Sequence, residues 1–207
     1  SQPRVHDRQM SIGYIGGATH KADLDILTPA LLELGERYLD RIRLSFWGVE
    51  PPKAILTQPF CSWQPLEEFD YHTFAHRFSK SMCDVWVAPL VDNHFNQYKS
   101  GIKYLEYTAI GGACVLSNVR PYSDIVSNGK NGILATTTED WSKALSSLIE
   151  QPALRVNMAR KEMFTLQHHW LLSDNYQKLV AIYTQASECQ PIPRNHEVSE
   201  ALNTVFR

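Results

Sequence analysis

Short apolar runs alternate with helical segments along most of this chain, and this alternation limits the possible folds more than any other feature. Strands separated by helices require crossover connections, which give a parallel sheet covered by helices on both faces. The predicted strands are residues 11–15, 41–49, 60–63, 85–90, 113–117 and 133–136, and the predicted main helices are residues 23–38, 70–81, 100–110, 140–150 and 152–186.

The pattern therefore predicts an α/β fold, a single Rossmann-like three-layer domain with a parallel sheet of about six strands, over residues 11–186. Residues 1–10 are interpreted as an N-terminal extension or interdomain linker. Residues 187–207, which contain Pro191 and Pro193, are interpreted as a C-terminal tail or linker.

Composition excludes several classes of function. A net charge of -2 and a pI near 6.4 give no electrostatic reason to expect nucleic-acid binding. No apolar run approaches the roughly 18 to 20 residues that a membrane span needs. The four cysteines lack paired spacing, which favours reduced thiols in a cytoplasmic protein. The histidines form no pattern typical of a metal site, so neither a metal nor a cofactor is expected.

Ligands of such sheets bind at the carboxyl ends of the strands, so the loops after Ile15, Phe60 and Leu90 are the candidate sites. Gly16 and Gly17 follow the first strand, and glycines there allow backbone N–H groups to approach an anion. A simple turn explains the pair equally well. The loop lacks the glycine spacing of dinucleotide-binding and P-loop motifs. His20 and Lys21 add basic groups before the first helix.

The segment 90–117 carries the strongest signal. Lys99 and Lys103 flank the start of a predicted helix, where the dipole disfavours cations, so an anionic ligand would compensate. A solvated basic face is the alternative. Ser100 is interpreted as the N-cap rather than a nucleophile. Glu106 lies in an apolar stretch and needs a partner, either ligand hydroxyls or Lys103. Asn93 and Asn96 precede the helix and offer further polar groups.

These residues resemble the C-terminal, donor-binding half of GT-B-fold glycosyltransferases, in particular the retaining family-4 (group 1) enzymes. The resemblance covers roughly residues 10–186. Its central motif consists of Pro89, Leu90, Asn93, Phe95, Asn96, Lys99, Ser100, Lys103, Glu106, Tyr107 and Gly111.

The resemblance implies a nucleoside diphosphate sugar as the donor, bound through Gly16, Gly17, His20, Lys21 and the polar residues of the 93–106 segment. It implies that Glu106 binds the ribose hydroxyls. The family's first glutamate, near the donor sugar, falls on Tyr98, and its basic pair falls on about Gly17 and Ala22. No catalytic residue is therefore assigned, and His20, Lys21 and Lys99 are expected to replace the basic pair.

GT-B enzymes have two Rossmann-like domains, so the resemblance implies that a glycan or polysaccharide acceptor binds to an N-terminal domain missing from this chain. Any membrane association would also depend on that missing part. The isolated chain is expected to transfer no sugar. Two alternatives stay open, a degenerate nucleotide-binding or interaction module without catalysis and half of a nucleotide-sugar epimerase.

Overall fold

The computed structural model describes residues 9–65 and 71–189. All six strands lie in one parallel sheet of order β3-β2-β1-β4-β5-β6, so the predicted fold class is confirmed. Each strand begins and ends within two residues of its predicted bounds. The strands are β1 (Met10–Gly16), β2 (Ile42–Gly48), β3 (Cys61–Gln64), β4 (Val85–Ala88), β5 (Ala113–Ser117) and β6 (Ile133–Ala135).

Helices connect successive strands. The helices are α1 (Lys21–Tyr38), α2 (Lys53–Leu56), α3 (Tyr71–Ser79), α4 (Ile102–Ile110), α5 (Tyr122–Ile125), α6 (Thr138–Glu150), α7 (Pro152–His169) and α8 (Leu172–Glu188). The chain divides into two compact units, residues 1–169 and residues 170–207. The first unit holds the sheet and the helices up to α7, and the second holds α8. The predicted boundaries near residues 10 and 186 remain predictions, because most of the two terminal segments lies outside the described residues.

Both faces of the sheet are packed, as a parallel sheet requires. On one face, α1 and α6 bury leucines and Trp141 against residues of β1, β2, β4 and β5. The predicted apolar face of α6, formed by Trp141, Leu145 and Leu148, is completely buried. On the other face, α3, α4 and α5 pack aromatic side chains over β4 and β5.

Trp86 of β4 is the centre of the second face. Its ring stacks on Tyr107 of α4 at a centroid distance of 4.7 Å and lies 5.4 Å from the ring of Phe78 of α3. Gly13 of β1 makes this packing possible, because a Cβ there would lie 2.6 Å from a ring carbon of Trp86. The close approach of strand and ring holds α4 against the centre of the sheet.

Gly111 ends α4 in the way that the paired glycines predict. Its φ of +83° is a left-handed conformation that glycine adopts without strain. Gly112 follows with a φ of +126°, and a Cβ there would lie 2.6 Å from the carbonyl oxygen of Cys83. A side chain at either position would therefore disturb the entry into β5.

None of the four cysteines forms a disulfide. The described helices include none with the length and apolar character needed to cross a bilayer.

Glu162 of α7 is a buried carboxylate. The side chain is 0% exposed, Oε1 accepts a hydrogen bond from the Cys114 backbone N–H at 2.9 Å, and Oε2 has no hydrogen-bond partner. Burial raises the pKa of Glu162 to about 7, although the hydrogen bonds from Cys114 oppose the shift. The ordinary value is 4.5, so the folded state holds this proton to a higher pH than the unfolded state does.

Stability should therefore fall as pH rises from about 5 to 8, by an amount on the order of 3 kcal/mol from this group. Glu162→Gln should remove that part of the slope, because the amide keeps an acceptor for Cys114 and carries no charge. Chemical denaturation at four pH values measures the effect, and Glu36→Gln, on the exposed side of α1, is the matched control. Equal slopes for wild type and Glu162→Gln would contradict the prediction.

Candidate functional site

A crevice opens where β1 and β4 lie side by side. The chain leaves β1 toward β2 and leaves β4 toward β5, so the two connections run in opposite directions. Sheets of this order bind ligands outside the carboxyl ends of the strands at that point. The N-termini of α1 and α4 both begin at this edge, and neither has a side-chain cap. The positive ends of the two helix dipoles favour an anion there.

Asp23, in the first turn of α1, joins the two loops of the crevice. One carboxylate oxygen lies 2.6 Å from Nδ1 of His20, and the other accepts the backbone N–H of Val91 at 2.8 Å. The residue is 4% exposed. Burial alone would raise the pKa of this carboxyl, but the bonds from His20 and Val91 and the charges of His20 and Lys99 lower it. Asp23 is therefore ionised.

Lys103 of α4 reaches across to β1. Its Nζ donates to the Tyr14 hydroxyl at 3.2 Å and lies 4.7 Å from the centroid of that ring. Burial lowers the pKa of Lys103 to about 8, with Lys99 adding to the shift and Asp23 and Glu106 opposing it. The lysine stays mostly charged at neutral pH and is held in a fixed position.

The hypothesis that Glu106 pairs with Lys103 is not supported by the geometry. Among the described residues, the Glu106 carboxylate makes no hydrogen bond and no ion pair. Burial raises its pKa, and the charge of Lys103 lowers it. A half-buried carboxylate without a partner is available to accept hydrogen bonds from a ligand.

Tyr107 fixes the position of α4 relative to β1. Its hydroxyl lies 3.2 Å from both the N–H and the carbonyl oxygen of Ile15, accepting from the first and donating to the second. The side chain is completely buried. Glu106, one residue earlier, is therefore held beside the end of β1.

The two asparagines of the β4–α4 loop shape the loop itself. The Asn93 side-chain oxygen accepts from the Asn96 backbone N–H at 2.8 Å, and the Asn96 amide donates to the Val91 carbonyl at 2.8 Å. Asn96 is 5% exposed. Lys99 lies at the end of this loop, with its Nζ 5.3 Å from the centroid of the Phe95 ring. The structure thus supports a loop-holding role for Asn96, while direct ligand contacts by Asn93 and Asn96 stay predictions.

The prediction of Ser100 as the N-cap of α4 is wrong. The helix begins at Ile102, and Gly101 occupies the cap position. A Cβ at Gly101 would lie 2.3 Å from a side-chain carbon of Ile125, so the space for the chain is limited there. Ser100 is exposed in the loop that precedes the cap.

The two glycines of the loop after β1 have different surroundings. A Cβ on Gly16 would lie 2.4 Å from the Tyr14 hydroxyl and 3.1 Å from Lys103 Nζ, whereas one on Gly17 would meet nothing within 4 Å. Gly16 is therefore needed for packing, and Gly17 leaves open space. Lys21 is exposed at the first position of α1. His20, Lys99, Lys103 and the two glycines thus come together at the predicted edge.

Part of the expected site lies elsewhere. β3 is the edge strand, with β2 between it and β1, so its end is not at the crevice. Residues 66–70, which begin two positions after the end of β3, are outside the described residues. A cavity of about 430 Å³ also lies away from the crevice, at the amino-terminal ends of β2 and β3, where Asp40, Arg43 and Cys61 contribute to its lining. It has no helix N-terminus of the kind found at the crevice.

Three groups of the site were not predicted from the sequence: Asp23, Tyr14 and the Val91 N–H. Asp23 carried a signal, because it lies three residues after His20 at the start of a helix, a spacing that brings two side chains together. In the sequence, nothing distinguishes Tyr14 from the apolar residues of the predicted strand. In the part of the chain that the structure describes, no group of three or more His, Cys, Asp or Glu residues is placed to hold a metal ion.

Residues 71–163 match the family model described as glycosyl transferases group 1. No curated protein matches the chain.

Three solved structures have a similar fold. The C-terminal domain of LpcC, a group 1 family glycosyl transferase from Francisella tularensis, aligns with 17% identity and a TM-score of 0.59 over 78% of this chain and 86% of that domain. Sucrose-phosphate synthase from Thermosynechococcus elongatus aligns with 13% identity and a TM-score of 0.65, over 87% and 46%. HepE from Anabaena, in complex with UDP and glucose, aligns with 14% identity and a TM-score of 0.63, over 87% and 49%. The chain spans less than half the length of the last two proteins.

Gly16→Ala should destabilise the fold by about 1–3 kcal/mol, because the new methyl group would displace the Tyr14 hydroxyl and with it Lys103. Gly17→Ala, one residue on at a φ of -77°, should change stability by less than about 0.5 kcal/mol. Thermal and denaturant unfolding of the two variants measure the difference. Equal destabilisation would contradict the packing described for the crevice.

Proposed function

We propose that this chain binds the donor of a sugar transfer, a nucleoside diphosphate sugar. The match of residues 71–163 to the model of group 1 glycosyl transferases and the fold shared with the LpcC C-terminal domain support the proposal. In this proposal the reaction moves the sugar to a glycan or polysaccharide acceptor with retention of configuration. The observation that carries the proposal is the crevice. The N-termini of α1 and α4 and the ammonium groups of Lys99 and Lys103 lie at this edge, and Glu106 of α4, close enough to feel the charge of Lys103, is a half-buried carboxylate with no hydrogen bond or ion pair among the described residues.

The diphosphate occupies the basic part of the crevice in this proposal. Lys103 is the best-placed cation, because its contact with Tyr14 keeps Nζ beside Gly16. Lys99 and His20 lie on the two loops that Asp23 joins, and both contribute to the electrostatic environment of its carboxylate. These groups and the helix N-termini would stabilise the negative charge that grows on the leaving diphosphate during transfer. The proposal assigns no step to a metal ion or other cofactor.

Glu106 accepts the ribose hydroxyls in this proposal. Its Cα lies four residues beyond the first residue of α4, about 6 Å deeper along the helix. Helical side chains lean toward the N-terminus, which directs the carboxylate back toward the crevice. A ribose attached to a diphosphate at the helix N-terminus would therefore reach it. The raised pKa supports the role, since burial without a partner leaves the carboxylate ready for hydroxyl donors.

The acceptor site belongs to a second domain in this proposal. Less than half of HepE and of the sucrose-phosphate synthase aligns with this chain, which supports the view that a complete enzyme of this kind has a further half. Transfer requires both substrates in register, an effect worth about 7–11 kcal/mol of barrier. The four cysteines, none of which is in a disulfide, support a reducing, cytoplasmic setting. Any membrane association is assigned to the second half.

Calorimetry with UDP, GDP and ADP, each also as its glucose conjugate, tests donor binding. We expect the ligands that carry one of the three bases to bind, and the ligands that carry the other two bases to bind more weakly. Absence of binding by all six ligands would contradict the proposal and favour a degenerate interaction module, for which the uncharged Gly17 and Ala22 at the family's basic positions are the supporting observation.

Glu106→Gln should weaken binding of the preferred nucleoside diphosphate about 10- to 100-fold, because charge-assisted bonds to the ribose are worth about 1.5–3 kcal/mol. Glu36→Gln, on the exposed side of α1, should leave the affinity unchanged. Isothermal titration at constant ionic strength measures both. An unchanged affinity in Glu106→Gln would remove the ribose role.

The chain alone should release no sugar to an acceptor. Incubation with the preferred sugar nucleotide and a panel of oligosaccharides, followed by mass spectrometry, measures transfer. Efficient turnover would show that these residues contain a complete active site and that the two-domain assignment is wrong.

A further inference from the structure

A histidine and a buried carboxylate form a pair inside the crevice. His20 Nδ1 lies 2.6 Å from an oxygen of Asp23, and the side chains are 17% and 5% exposed. A carboxylate with a lowered pKa can only accept, so the proton of this bond belongs to Nδ1. The other ring nitrogen, Nε2, makes no hydrogen bond to any described residue.

Asp23 also fixes where the ring lies. Its second oxygen accepts from the Val91 N–H, so the carboxylate is tied to the loop that leads to Lys99 and α4. The histidine is therefore oriented by a group that belongs to both sides of the crevice. A carboxylate behind one ring nitrogen stabilises the imidazolium form and leaves the other nitrogen as a directed donor.

Because the charges around the pair nearly cancel, protonation of His20 has a large effect on the net charge of the crevice. Lys99 and Lys103 supply two positive charges, and Asp23 and Glu106 supply two negative charges. Tyr14 and Tyr122, which also interact with Asp23, remain neutral because burial raises the pKa of each. Lys21 is exposed, so solvent and salt weaken its field. The inner crevice is thus close to neutral with an uncharged histidine and positive with an imidazolium.

We infer that Asp23 is a positioning residue that holds His20 as an imidazolium donor to the phosphates of the ligand, so that protonation of this one ring controls how tightly the donor binds. The inference rests on the proposed function, since it names the group that recognises the diphosphate. It adds a pH dependence of binding below pH 7, where Lys103, with a pKa of about 8, stays almost fully charged.

A titration with the preferred nucleoside diphosphate glucose from pH 5.5 to 7.5 tests the inference. The diphosphate of such a conjugate has no group that titrates in this range, so a change in affinity reports on the protein. We expect wild-type affinity to fall about 10-fold across the range, as the histidine loses its charge. His20→Gln should bind with the weak affinity of the wild type at pH 7.5 and keep only the shallow slope that Lys103, with a pKa of about 8, contributes near the upper end of the range.

The variant Asp23→Asn tests whether Asp23 positions His20 or only stabilises the fold. The amide oxygen can still accept from Val91, but the group facing the ring no longer carries a charge. We expect the affinity at pH 5.5 to fall several-fold, the slope to flatten, and the double variant with His20→Gln to bind no more weakly than His20→Gln alone. His76→Gln, at an exposed histidine of α3, should keep the wild-type slope.

Each result separates this inference from the proposed function. If no nucleotide sugar binds at any pH, the proposed function is wrong. If the ligand binds and His20→Gln keeps the wild-type slope, the imidazolium role is wrong while donor binding stands. Should Asp23→Asn not fold, His20→Gln alone decides, because His20 makes a single side-chain bond at the rim of the crevice.

Discussion

The contact of Trp86 with β1 holds the rest of the site in place. Gly13 leaves room for the indole ring, the ring stacks on Tyr107, and the Tyr107 hydroxyl bonds to the backbone of Ile15. These contacts set α4 against the end of β1, where Lys103 can meet Tyr14. A recognition site that depends on helix N-termini and a few ammonium groups needs this accuracy, because such interactions weaken quickly with distance.

Two buried carboxyl groups in the first compact unit, those of Asp23 and Glu162, have pKa values shifted in opposite directions. At the crevice, Asp23 is ionised because bonds and nearby cations outweigh its desolvation. Behind α4, burial raises the pKa of Glu162 to about 7, and its Oε2 has no hydrogen-bond partner. The first arrangement prepares a charged surface for a ligand. The second makes the packing of α7 on β5 sensitive to pH.

The fold could be predicted from the sequence because the alternation of apolar runs and helical segments leaves few other topologies, and Gly111 and Gly112 marked the end of α4 correctly. The site residues were harder to predict from the sequence than the fold. The loop from residue 93 to 99 held two polar side chains that proved to bond mainly within the loop, and Ser100 lost the cap position to Gly101. Asp23 was missed because a carboxylate in the first turn of a helix is ordinary. Its spacing from His20 signals that one contact, and only the tertiary bond to Val91 shows that it joins the two loops.

A crystal structure of the chain with a nucleoside diphosphate tests the central claim most directly. We expect the diphosphate at the N-termini of α1 and α4, within hydrogen-bond distance of Lys103 and His20, and the ribose hydroxyls within hydrogen-bond distance of Glu106. A nucleotide bound at the opposite edge of the sheet, in the cavity beside Arg43, would contradict it. So would a nucleotide in the crevice whose ribose lies away from Glu106.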